Sequence, residues 1–290
     1  MAYVSYKDLP LYFGATSNGV SPTAPNEGEA SSFMAQATQV QLNYTPTVQQ
    51  SRLLGQAATK NSFALAGPPS STLSFSCYLK PGEFTPTGTN TAANNHSLTG
   101  NNTVAIRLGD ATNGFLLPCC ALTSFSYSLV PFQPVIVNCE FALLNNPSEG
   151  KVIAAQSDKG PSTSSDYTDY AHGAYSTCNA VDQITDLEIL ESVQYQFACQ
   201  RLAQYNLGST TLSSLETVSM EQSLTVQGDA VEDLVPSGGE NVNAILNTIK
   251  NPDGDTIMTS QVEGRMIAEN VSVAAGDFAR GAMTISQPML

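Results

Sequence analysis

The chain has 290 residues, 41% of them hydrophobic and 12% charged, with 11 basic and 25 acidic side chains for a net charge of −14. That apolar content suffices for one large core or two ordinary ones, while the charged share is about half that of a typical soluble protein. Cations are too few for a surface that grips phosphates, and no apolar run is long enough for a membrane-spanning helix, so a basic nucleic-acid binder and a helical membrane protein are excluded.

Residues 1–35 are broken by Gly14, Gly19, Pro22, Pro25 and Gly28 and read as an extended arm or loops without a leader pattern. Residues 37–44 alternate apolar and polar with period 2, as do residues 71–79, where Leu73, Phe75, Cys77 and Leu79 share one face. Between these strands, residues 46–70 end in Gly67-Pro-Pro and read as a projecting hairpin or loop. A polar loop fills 80–103, a short strand follows at 104–108, and strands at 120–130 and 134–143 form a hairpin around Pro131–Pro134. The Ser-, Asp- and Tyr-rich stretch 145–180 reads as a connection. Strands are expected near 185–199, 217–227, 262–274 and 279–286. The one helix expected is 239–250, with Val242, Ile245, Leu246 and Ile249 at i, i+3, i+4 and i+7 and Pro252 as its stop.

The order of blocks repeats. The block Tyr44–Gly55 followed by the strand at 71–79 matches Tyr195–Gly208 followed by the strand at 217–227. The hairpin beginning at Leu122 matches one beginning at Met266. Gly55 and Gly208 stand 153 residues apart, Leu122 and Met266 144, as in two diverged copies with loop changes. The chain therefore divides into a first domain at 1–147, a linker and arm at 148–180, and a second domain at 181–290. Charge divides unevenly: residues 1–150 hold 7 acidic and 5 basic side chains, residues 151–290 hold 18 and 6.

Nothing in the sequence carries an enzyme signature, and neither a cofactor nor a metal is expected. The only histidines, His96 and His172, sit in an Asn-rich loop and a Tyr-rich linker, away from strand ends where a catalytic base is held, and read as exposed loop residues. Cys77, Cys119, Cys120, Cys139, Cys178 and Cys199 include no C-x-x-C pair and are expected reduced. The Asp253/Asp255 turn lacks the spacing of a calcium loop, and Glu232, Asp233 and Glu240 around Gly238-Gly239 disfavour an anion there. Asp186, Glu188 and Glu191 lie close together, as do Glu216 and Glu221, and read as acidic strand faces.

The segment Val48–Gly55, the run Ser71-Thr-Leu-Ser-Phe-Ser76 and the hairpin from Leu122 to Phe141 resemble the tail tube proteins of long-tailed bacteriophages, and the second copy follows the same order through Gly208 and Gly276–Gly281. The resemblance implies a mainly β fold: two tandem β-sandwich or barrel-forming domains, each with a flanking helix and a projecting hairpin or loop. It implies a structural virion protein, assembled in the host cytoplasm, whose trimers form pseudo-sixfold rings that stack into a tube beside neighbouring tail proteins. Genomic DNA would pass through without specific binding, and no membrane partner is implied. Gln49, Arg52, Leu53, Leu54, Gly55 and Pro68 become ring-stacking candidates, and Asp186, Glu188, Glu191, Glu216 and Glu221 candidates for an acidic lumen that repels phosphate. A tail terminator or baseplate hub ring of the same fold is the nearest alternative. A carbohydrate-binding β-sandwich adhesin is a further one, though the chain has no Trp for an aromatic platform.

Overall fold

The computed structural model describes residues 11–18, 20, 22, 24, 33–45, 48–50, 63–65, 70–81, 84–86, 98, 100–109, 114–145, 167–180, 190–207, 209, 211–228, 241–272 and 280–289. They are mainly β. In chain order the strands are β1 (Leu11–Phe13), β2 (Ser17–Asn18), β3 (Phe33–Thr45), β4 (Val48–Gln50), β5 (Phe63–Leu65), β6 (Ser70–Tyr78), β7 (Asn102–Gly109), β8 (Gly114–Leu129) and β9 (Ile136–Leu143). After a 3-10 turn at Tyr167–Asp169 come β10 (Thr177–Ala180), β11 (Leu190–Tyr205), β12 (Leu212–Gly228), β13 (Asn241–Lys250), β14 (Thr256–Ser272) and β15 (Arg280–Pro288). Among the described residues there is no α-helix.

Thirteen strands form one sheet in the order β10-β13-β14-β15-β12-β11-β8-β9-β6-β3-β1-β7-β2, and a further β7–β8 pairing closes the first half into a six-strand barrel. Period-2 patterning explains the inside of that barrel. Leu73, Phe75 and Cys77 of β6 and Val137, Cys139 and Phe141 of β9 are buried, while the alternate Ser and Asn positions face outward. Phe13 stacks on Phe84 at 4.1 Å between ring centroids and Phe75 on Phe141 at 5.9 Å, closing the barrel's apolar centre.

The helix expected at 239–250 is instead strand β13, paired antiparallel to β14. Ile245 and Ile249 satisfy both a period of 3.6 and a period of 2, so spacing alone does not separate the two structures. The chemistry between them does. Asn247, which a helix would turn toward solvent, is wholly buried with Ile245 and Ile249, and β-branched Ile245, Thr248 and Ile249 favour the extended chain.

The two halves are one strand pattern used twice. β3, β6, β9 and β8 are neighbours in that order, and β11, β12, β15 and β14 follow in the same order. Val40 opposite Phe75 corresponds to Val193 opposite Val226, and Leu122 opposite Phe141 to Met266 opposite Ile285. Register shifts fall at equivalent places: between Ala37/Gln39 and Leu190/Ser192, and between Leu122/Ser124 and Met266/Ala268. Bulges re-aim side chains where a strand must bend, so their coincidence gives the two four-strand units the same local bends as well as the same strand order.

Candidate functional site: the polar face of an eight-strand sheet

The two four-strand units are joined edge to edge. The C-terminal half of β8 pairs antiparallel with β11, from Leu129↔Val193 to Ser124↔Ala198, so eight strands run without interruption from β3 to β14. One face of this span is core. Across the joint Tyr127 stacks on Tyr195 at 5.0 Å and Phe125 on Phe197 at 5.2 Å between centroids. Beneath them the Tyr127 hydroxyl is hydrogen-bonded to Ser260 Oγ and accepts from Asn247 Nδ2 at 3.3 Å, and burial raises the Tyr127 pKa.

The other face is polar and almost free of cations. Following the register across the strands, one row reads Gln39, Ser76, Asn138, Ser126, Gln196, Ser223, Ser286 and Arg265, all exposed or half-exposed. The adjacent row reads Gln41, Ser74, Glu140, Ser124, Ala198 and Glu221. These side chains bond one another along the surface: Ser76 Oγ donates to Asn138 Oδ1 at 2.6 Å, and Ser286 Oγ donates to Glu221 Oε1 at 2.6 Å. The face holds a hollow of about 670 Å³ lined by Ser126, Asn138, Gln194, Gln196, Ser223 and Thr225 among others. A smaller hollow of about 290 Å³ lies beside Gln41, Ser74, Ser124 and Glu140. Such a surface has no single converging site. It can hydrate, exchange weak hydrogen bonds and exclude tight phosphate pairing, because that pairing needs rows of Lys or Arg.

Contacts on other sides of the sheet lock the two halves together. The distal part of the β11–β12 hairpin lies over the outside of the first barrel, burying Leu212 and Leu215 against Cys119, Ala121 and Leu144. Arg201 anchors it. Its Nε donates to Gly100 O at 2.8 Å, Nη2 to Leu98 O at 2.8 Å and Nη1 to Leu122 O. Burial lowers the Arg201 pKa, yet guanidinium starts so basic that it keeps its charge. Tyr205 OH donates to Leu144 O at 2.6 Å, and Asn101 Oδ1 accepts from the Thr217 backbone at 2.8 Å.

A short segment ties the remaining gap. Ala171 N donates to Leu79 O and Gly173 N to Gln133 O on the first half, while His172 N donates to Lys250 O on the second. His172, expected in an exposed linker, is buried at this bridge because its backbone is committed to both halves. Gly173 passes so close to the chain that an added Cβ would lie 2.0 Å from Val130 O.

The acidic candidates separate. Glu221 lies on the polar face. Glu216 is exposed on the distal hairpin beyond the eight-strand span, and Glu191 is ion-paired to Arg280 at 3.5 Å near the bulge that opens β11. Asp186 and Glu188 lie outside the described residues. Of the stacking candidates, Gln49 stands in β4 opposite Ala64 of β5, in a two-strand sheet separate from the main one, and Arg52, Leu53, Leu54, Gly55 and Pro68 lie outside the described residues.

Glu140 and the Gln194/Gln196 pair were not singled out from sequence. The alternation Ser124-Phe-Ser-Tyr-Ser128 was the signal for a polar face, and its continuation onto Gln194 and Gln196 becomes visible only through the β8–β11 pairing. All six cysteines are buried and none is in a disulfide, with burial holding the Cys119 thiol up at about 11 and Cys178 at about 12. Among the described residues no group of three or more His, Cys, Asp or Glu side chains converges. No protein-family model and no curated protein matches the chain.

Proposed function

We propose that this chain is the repeating subunit of a bacteriophage tail tube, a structural virion protein built from two tandem tube domains. One observation carries the reading: the same four-strand unit, with the same register and the same two bulges, occurs twice side by side in one sheet with a single continuous polar face. A duplicated unit joined laterally is a ring in the making, and three copies would set six units around a pseudo-sixfold axis. Twenty-four strands at a spacing of ~4.8 Å give a circumference of about 115 Å, which leaves a channel wide enough for duplex DNA after side chains are subtracted.

The polar face would line that channel. Its Ser, Thr, Asn and Gln rows stay hydrated, Glu140 and Glu221 repel phosphate, and Arg265 is the cation in its central row, so a passing duplex finds no ladder of ion pairs to stop it. The separate two-strand β4–β5 sheet, which holds Gln49, is the candidate ring-to-ring contact. Neighbouring tail proteins would engage the two ends of the stack.

Negative-stain electron microscopy of the purified chain at rising concentration tests this reading. Six-lobed hollow rings that stack into tubes are expected. Six-lobed rings that never stack would favour a terminator or hub. Monomers at every concentration would overturn the assembly.

A further inference from the structure

One strand serves two interiors. On the edge of β8 away from β9, β7 pairs with Gly114–Cys120 and β11 with Ser124–Leu129, and Arg201 Nη1 donates to Leu122 O at the changeover. The C-terminal part of β8 therefore belongs to the first half by chain and to the second by contact.

The first interior is complete without the second. β1 bridges β3 and β7, and the rings packed at its centre, Phe13, Phe75, Phe84 and Phe141, all come from the first half. The second interior draws on the first. Among the described residues its buried aromatic side chains are Tyr195 and Phe197, and they stack on Tyr127 and Phe125 of β8. The sheet curls until Tyr127 also meets β13 and β14, where its hydroxyl bonds Ser260 Oγ and accepts from Asn247 Nδ2. Asn247 is wholly buried and its Oδ1 has no hydrogen-bond partner. Without Tyr127 this amide would keep a single long bond, from Nδ2 to Ser260 Oγ at 3.5 Å, in a place where an unmet polar atom is costly.

The costs of separation are unequal. Undocking the second half leaves β8 paired with β9 in a closed barrel and exposes side chains of the first half. Unfolding the first barrel takes from the second a strand ladder, two ring partners and a buried hydroxyl. We infer that the fold carries a one-way dependence: the first half keeps its structure whether or not the second is docked, and the second is folded only while β8 stands as its wall. This holds for a ring subunit and for a lone chain alike.

Segment-resolved hydrogen exchange of the dilute full chain under native conditions tests it, with two matched variants. Ile106→Val and Ile285→Val each remove one methyl from a wholly buried isoleucine. Ile106 lies opposite Phe13 and Leu117 in the first barrel, and Ile285 opposite Leu224 and Met266 in the second half. In a one-way scheme, amides of the second half report the cost of undocking alone. Those of the first report undocking plus the barrel's own unfolding. Ile285→Val is therefore expected to speed exchange about fivefold in 224–226 and 257–262 and equally in 72–77 and 137–141. Ile106→Val is expected to speed 72–77 and 137–141 about fivefold and to leave 224–226 and 257–262 unchanged. Both variants speeding both halves would overturn the dependence in favour of one cooperative unit. Each variant speeding only its own half would overturn it in favour of independent halves. Ile106→Val speeding both, with Ile285→Val confined to the second half, would reverse its direction and overturn it as well.

Discussion

The first half of the chain closes on itself and the second half does not. In the first, β1 bridges β7 and β3 and seals a six-strand barrel; in the second, β10 takes the equivalent outer place on β13, and among the described residues it does not reach β11. The edge of β11 that such a closure would occupy is taken by β8 of the first half. The leading hairpin is longer in the second half, with β11 and β12 of 16 and 17 residues against 13 and 9 in β3 and β6, and the extra length packs on the first half. What stayed the same is the four-strand polar face and its bulges. The difference teaches that the four-strand face is the part the two halves share, while their flanks differ and hold one half against the other.

The sharpest way to break this comparison is to damage the inner joint. Phe125→Ala removes a wholly buried ring stacked between the halves and should cost about 4 kcal/mol in urea unfolding. An unchanged midpoint would mean that the halves fold as independent units. Arg201→Ala strips three carbonyls of their charged donor, with an expected loss of about 3 kcal/mol and faster hydrogen exchange in the distal hairpin. Stability lost without local exchange at 200–217 would argue against the clasp.

Tyr127→Phe is smaller, about 1–2 kcal/mol, because it removes a hydroxyl from a buried group that also holds Ser260 and Asn247. Alkaline pH probes the same packing. The Cys119 pKa, raised by burial to about 11 against an ordinary value of 9.0, favours the neutral thiol in the folded state. Its contribution is therefore fully present below pH 9 and lost as pH climbs from about 9 to about 11, and Cys119→Ala should flatten that part of the stability curve. The least disruptive change is Gln196→Lys on the polar face, which should alter stability by less than about 0.5 kcal/mol. Under the proposed tube reading its effect should be on DNA, as a salt-sensitive retention greater than that of the unsubstituted chain.

Much of the fold was legible because strands announce themselves locally. The alternation in 71–79, 104–108, 120–130 and 134–143 reappears as β6, β7, β8 and β9, and the separations of 153 and 144 residues are those that superpose β3 on β11 and β8 on β14. Other parts were not. Ile245 and Ile249 obey two periods at once, and the burial of Asn247 against Tyr127, which no spacing announces, is what favours strand over helix beside the β-branched side chains. The reach of the β11–β12 hairpin depends on where Leu212 and Leu215 find an apolar seat, which lies on β8 far away in sequence. The candidate site suffered the same limit. Clustering of acids along the chain pointed to Glu191, Glu216 and Glu221 alike, but a face belongs to a register, and register sends Glu216 beyond the sheet and keeps Glu221 on it.

The proposed ring requires that the lateral joint used within the chain be used again between chains. Hydrogen exchange read segment by segment at low and high protein concentration tests it most directly. The account predicts that amides in 124–129 and 193–198 exchange slowly at both concentrations, while those in 40–45 and 268–272 exchange quickly in the dilute protein and slow together as assemblies form. Assembly that leaves both outer edges fast, or protects one without the other, would contradict it.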